Sequence, residues 1–158
     1  MYETFEHTAD LGMRVRAASL EQLFEEAATC LFEMMVVNLH EVTGVVSKKV
    51  EVTAANPIAI GNPTDNSPGN ATGLDLLLFD WLNELLFLFE SEQLLLSEFH
   101  ASFHCDKLTA EVSGQVMDFD RHQMDHEVKA ITYHQLRVEW QNDAPADEKW
   151  LAELIVDI

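Results

Sequence analysis

The sequence predicts an α+β fold: two helices packed on a largely antiparallel, in part mixed, β-sheet, in two layers and one domain spanning residues 1–158. Three observations predict it. Two segments repeat apolar residues at helical spacing, about seven others read as strands, and the strands follow one another mostly through short hairpin-like connections. A chain of 158 residues, 47% hydrophobic, can bury roughly 70% of its unfolded surface without staples. No internal repeat or low-complexity tract interrupts the pattern.

The elements follow in order. Tyr2 to His7 reads as a short strand, and a turn through Thr8-Ala9-Asp10-Leu11-Gly12 leads to a second strand in which Met13, Val15 and Ala17 alternate with Arg14 and Arg16. Ser19-Leu20-Glu21-Gln22 has the spacing of a capping box, which starts a helix at Leu20. Leu23, Phe24, Ala27, Ala28, Leu31, Phe32, Met34 and Met35 give that helix one apolar face. Val45 to Thr53 reads as a strand. Residues 54–73 hold three Pro, three Asn before the last of them, and three Gly without periodicity, and are expected to be a mobile insertion loop.

A second helix is expected over about Leu74 to Phe89, with a wide stripe of Leu74, Leu77, Leu78, Trp81, Leu82, Leu85 and Leu88. Strands are expected at Leu96 to His104, Leu108 to Met117, Val128 to Trp140 and Trp150 to Ile158, with a tight hairpin at Cys105-Asp106-Lys107 and a polar loop at Gln141 to Glu148. The last strand ends the sequence on Asp157-Ile158, so packing there is expected to fix the Asp157 carboxylate beside the α-carboxylate of Ile158. Adjacent carboxylates repel, and a hard cation is the usual way to offset that.

Composition narrows the function. With 28 acidic and 9 basic residues the net charge is −19, which argues against direct, sequence-independent nucleic-acid binding and favours cations or basic protein partners. Met1-Tyr2-Glu3-Thr4-Phe5-Glu6 lacks the basic and apolar parts of a signal peptide. The richest apolar stretch, Leu74 to Leu96, is broken by Asp75, Asp80, Asn83, Glu84 and Glu90. Cys30 and Cys105 match no metal or redox spacing and read as idle thiols of a reducing compartment, so a cytoplasmic protein is expected.

Few residues announce chemistry by themselves. Asp10 fits a turn-shaping role as well as a functional one. Lys129 fits a solvated strand-edge residue that blunts edge pairing. His100/His104 and His122/His126 are each four apart, yet no His-Glu-x-x-His or paired-cysteine motif supports zinc. Neither Cys30 nor Ser113-Gly114 carries a nucleophile signature. His126 and Arg121-His122 read as a solvated loop, or else as neighbours of Lys129 on one surface.

Four segments together resemble the archease family: His7-Thr8-Ala9-Asp10-Leu11-Gly12, Trp81-Leu82-Asn83-Glu84-Leu85-Leu86, Val128-Lys129-Ala130-Ile131-Thr132-Tyr133-His134, and the terminal Asp157-Ile158. The resemblance runs nearly end to end. It implies an activator of an RtcB-type RNA ligase in tRNA splicing and RNA repair, promoting guanylylation and multiple turnover without forming the RNA bond itself. It also implies a metal site at Asp10, Asp157 and Ile158, and a partner-activating role for Lys129. The resemblance implies Ca²⁺ as the ion; the all-oxygen ligands by themselves suit Ca²⁺, Mg²⁺ or Mn²⁺ over zinc. The other reading is a protein-binding chaperone or modulator of an RNA-modification enzyme such as a tRNA methyltransferase. Residues 56–73 look longer than a compact member of that family needs.

Overall fold

The computed structural model describes residues 1–54, 72–104 and 106–158; the expected insertion at 54–73 lies almost wholly outside them, as does Cys105. The chain order is β1 (Tyr2–His7), β2 (Asp10–Ala17), α1 (Leu20–Met35), β3 (Val46–Thr53), α2 (Thr72–Glu92), β4 (Leu94–His104), β5 (Lys107–Val116), β6 (Ala130–Ile131), β7 (Arg137–Trp140) and β8 (Trp150–Asp157). The α+β class holds, and every strand pairing among the described residues is antiparallel. The strands divide over two sheets rather than one. β1, β2 and β8 run side by side with β6 and β7 both on the far edge of β8, while β3, β5 and β4 form a separate three-stranded sheet.

Each helix packs against strands of both sheets, so a single apolar core joins them. α1 begins where its cap demands: Ser19 Oγ accepts from the Gln22 N–H at 3.2 Å, and Gln22 Oε1 accepts from the Ala18 N–H at 3.3 Å. Leu23, Phe24, Ala27, Ala28, Leu31 and Phe32 are then fully buried. Trp81 of α2 is equally buried, and its indole N–H donates to the Phe24 carbonyl at 3.0 Å, which pins one helix to the other. Among the described residues no helix is long and apolar enough to cross a membrane.

Two expectations are corrected. The first turn is tighter than predicted: His7 pairs with Asp10, so Thr8 and Ala9 alone make the hairpin turn, with Thr8 at φ 54°, and β2 already runs through Gly12. Gly12 is needed for another reason, because a Cβ there would lie 2.3 Å from the Phe5 ring that covers it. Second, Val128 to Trp140 is not one strand. β6 pairs with Val156 and Asp157, β7 pairs with β8 from Trp150 to Glu153, and the chain loops out between them. Gln135 at φ 55° and the Leu136 N–H to Tyr133 carbonyl bond make that excursion. It remains tied to β8 through Ile155, whose carbonyl accepts from the Thr132 hydroxyl at 2.7 Å and whose N–H donates to the His134 carbonyl at 3.1 Å.

Candidate functional site at the end of the five-stranded sheet

β8 lies between β2 and β6, and its last residues decide where the candidate residues meet. On one side Leu11 pairs with Val156, so the next rung sets Asp10 beside Asp157. On the other side Ala130 pairs with Asp157, and the Lys129 N–H donates to the Asp157 carbonyl at 2.8 Å. Asp10 thus shares one sheet end with Lys129, Asp157 and Ile158, from which it is more than a hundred residues distant in sequence. Strand alternation puts His7, Asp10 and Asp157 on the same face.

The charges at this end are uncompensated. Asp10 and Asp157 are half-buried, and neither forms an ion pair with a described residue. Lys129 is exposed and equally free of carboxylate partners among the described residues. Arg14, Arg16, Lys48, Lys49, Lys107 and Arg137 all have one. On a chain with 28 acidic side chains an unpaired lysine is a minority arrangement, shared only with Arg121 and with Lys149, which bonds the Asn142 carbonyl instead.

A cavity of about 420 Å³ opens beside the β1–β2 hairpin, and Glu6, Asp10, His126 and Ile158 line it. His126 is there because the segment after β5 docks on the end of α1: the Asp125 N–H donates to Met35 and the His126 N–H to Met34. Its Nδ1 lies 3.4 Å from Asp125 Oδ1 without hydrogen-bond geometry. The His7 ring packs on that of His134, centroids 5.0 Å apart, and His7 Nδ1 is buried without a partner. The sequence makes His126 a candidate neighbour of Lys129, and the structure sets it in the cavity with Asp10 and Ile158. The contact of His7 with His134 escapes sequence reasoning because it is non-local, and the signal that would find His7 is the two-residue hairpin closing it onto Asp10.

Other candidates fall elsewhere. His122 is buried, and its Nδ1 accepts from the Asp118 N–H at 3.0 Å, which closes a turn. It shares no helix face with His126. His100 and His104 stand on the open face of the three-stranded sheet, opposite Glu111 and Lys107. Burial, with the nearby Glu33 carboxylate, pushes the Cys30 thiol up to about 12, so it stays a protonated, unreactive core group.

Among the described residues no three His, Cys, Asp or Glu side chains converge to hold an ion. The strand register sets Asp10 beside Asp157, next to Ile158. Carboxylate chemistry suits a hard cation, while two side chains alone are fewer than a closed cage requires.

A small α+β protein of two antiparallel sheets and two helices, with unpaired carboxylates and a free lysine at one sheet end, defines the class. The sequence model of the Archease protein family (MTH1598/TM1083) matches residues 2–60 and 66–158. The archease of Pyrococcus abyssi is 33% identical over 161 residues, covering 99% of this chain and 98% of that protein. The solution structure of Methanobacterium thermoautotrophicum protein 1598 superposes with a TM-score of 0.76 at 28% identity, over 99% of this chain and 98% of the other. A crystal structure from Thermotoga maritima, described as an archease and possible chaperone, shares the fold with a TM-score of 0.60 at 18% identity, over 100% and 98% of the two chains. The chain belongs to the archease family. Residues 61–65, outside both matched spans, fall within the segment that looked long for this family.

Proposed function

We propose that this protein activates an RtcB-type RNA ligase, promoting its guanylylation and multiple turnover in tRNA splicing and RNA repair, and that it does no bond-forming chemistry itself. The observation that carries the reading is the meeting of Asp10, Asp157 and Lys129 at one sheet end with no compensating partner among the described residues. Charges left unpaired on a folded surface are costly to a partner that cannot match them and useful to one that can. Asp10, Asp157 and the α-carboxylate of Ile158 would hold a divalent cation, Ca²⁺ first, with Mg²⁺ or Mn²⁺ as alternatives. Such an ion supplies positive charge that offsets the repulsion between the carboxylates. Lys129 is the partner-activating residue, exposed and free to reach a carboxylate or phosphate on the ligase.

The −19 charge supports docking on the basic surface that an RNA ligase needs, so nucleic acid is not expected to bind this chain directly, and the cytoplasm is the proposed compartment. The test is guanylylation of the cognate ligase at limiting activator, comparing wild type with Asp10→Ala, Lys129→Ala and a chain lacking Ile158. Lys129→Ala should keep the fold and lose activation; unchanged guanylylation by that variant refutes its role. Activation should also weaken as salt rises, because docking between exposed charges is screened.

The exposed side chains of Val45, Val116 and Phe119, the last 79% accessible, favour a second reading: a protein-binding chaperone or modulator of an RNA-modification enzyme such as a tRNA methyltransferase. An activator raises the ligase rate at substoichiometric amounts. A holdase only suppresses aggregation, in proportion to its concentration.

A further inference from the structure

β1 is an edge strand, and its free edge has a definite pattern. Met1 and Arg16 exchange both backbone hydrogen bonds, at 2.8 and 2.7 Å. Bonded pairs therefore continue at Glu3↔Arg14, Phe5↔Gly12 and His7↔Asp10, and the N–H and C=O groups of Tyr2, Thr4 and Glu6 point away from the sheet. None of these groups bonds to another described residue.

Two adjoining cavities of about 370 and 420 Å³ lie against the same edge and share Thr4, Leu11 and His126 in their walls. Glu33 and Asp125 line the first, Glu6 and Asp10 the second, and neither wall contains a Lys or Arg. Met34 and Leu11 add apolar surface of the kind that long cationic side chains lay their stems against. Burial, with the Glu33 carboxylate, pushes the Tyr2 phenol above its ordinary value, so it remains a neutral hydroxyl at the mouth of the first cavity.

We propose that the free edge of β1 takes an extended segment of a partner protein as an added strand, with Lys or Arg side chains at alternate positions entering the two acidic cavities. Side chains two apart on one face of a strand are about 6.8 Å apart, the spacing that also separates the groups offered by Thr4 and Glu6. Charge complementarity selects the occupant. A second copy of this chain would set the Glu3 and Glu6 carboxylates of two edges against each other on proteins of charge −19, whereas a basic strand is attracted by both. The inference takes from the proposed function only the source of that segment, a basic RNA-handling partner.

The test uses a fluorescein-labelled eight-residue peptide alternating Lys and Val, followed by anisotropy against the full chain. Binding should saturate one to one and weaken about tenfold in Glu33→Gln, and by a similar factor for the same peptide N-methylated along its backbone, because both charge pairing and main-chain bonding contribute. Thr4→Pro removes one outward N–H of an edge strand and should weaken binding as well; circular dichroism checks that it folds, and the N-methylated peptide makes the same comparison if it does not. Equal binding of the N-methylated peptide, no binding at all, or a dimer that Thr4→Pro dissolves would each overturn the proposal. An excess of the Lys-Val peptide added to the ligase assay separates the two readings: binding without inhibition leaves the groove standing and removes the ligase from it.

Discussion

Glu153 offers the sharpest test of how this fold handles its charge. It sits in the middle of β8 with a side chain only 9% exposed, between Arg14 on β2, whose Nε donates to its carboxylate at 2.8 Å, and Arg137 on β7, which donates at 3.3 Å. One carboxylate thus bridges three strands. Glu153→Gln keeps the shape and removes the charge. Charge-assisted hydrogen bonds contribute about 1.5–3 kcal/mol each. Arg14 is 33% exposed and also bonds Glu3, and Arg137 is 50% exposed, so water and other carboxylates recover much of the loss. The net cost should be about 2 kcal/mol, or roughly 4–8 °C in Tm for a chain of this size.

The pH dependence carries the sign. Burial alone would raise the Glu153 carboxyl, but Arg14 and then Arg137 outweigh it and hold it below the ordinary glutamate range. A depressed carboxyl stabilises the fold fully above its unfolded value, about 4.3, and that contribution is lost as pH falls through the lower folded value. Thermal melts of wild type and Glu153→Gln from pH 7 downward should therefore show a constant gap that closes only in acid below about pH 4. A gap that persists unchanged after the carboxylate is protonated, or no gap at pH 7, would refute the reasoning.

Three further outcomes are expected. Trp81→Phe removes the bond to the Phe24 carbonyl and part of a fully buried ring, and should cost about 2–3 kcal/mol by urea titration; a cost near zero would mean that the two helices do not depend on that tie. Gly114→Ala puts a Cβ 1.8 Å from the Leu95 carbonyl oxygen, backbone against backbone beside the irregularity between Leu96 and Glu98, and should cost more than about 3 kcal/mol or leave the protein insoluble; wild-type melting would disprove the close approach. Ca²⁺ at a hundred times its dissociation constant should stabilise the protein by about 2.7 kcal/mol, and Asp10→Asn should abolish the shift; an equal shift in the variant would remove Asp10 from the proposed site.

The sequence was most legible where a local cause suffices. Ser19 and Gln22 set the start of α1 by side-chain to backbone bonds within one turn, and the apolar stripe of each helix is its buried face. It was least legible where β8 governs. Val128 to Trp140 has strand-like composition throughout, yet the shared edge of β8 accepts it as two short pieces, and the bulge between them stacks Tyr133 on Phe79 of α2, centroids 4.1 Å apart, and packs His134 on His7. Of the candidate residues, Asp157 stood out through its place at the end of an apolar strand beside Ile158, whereas Asp10 and Lys129 were legible only through resemblance to a family, because nothing in their immediate neighbours distinguishes them from turn and edge residues.

By itself the sequence determined the helices, the antiparallel alternation and a surface far richer in carboxylates than in cations, because each of these follows from interactions within a few residues or from composition alone. Only the tertiary structure decided that the strands part into two sheets, that β8 separates β2 from β6, and that the turn after His7 meets the end of β8. Those outcomes depend on which long-range pairings bury the most apolar surface at once, and no local pattern encodes that choice. The same pairings that bury Val156 and Leu154 in the core leave Asp10 and Asp157 side by side at the sheet's end and, among the described residues, the edge of β1 without a neighbouring strand.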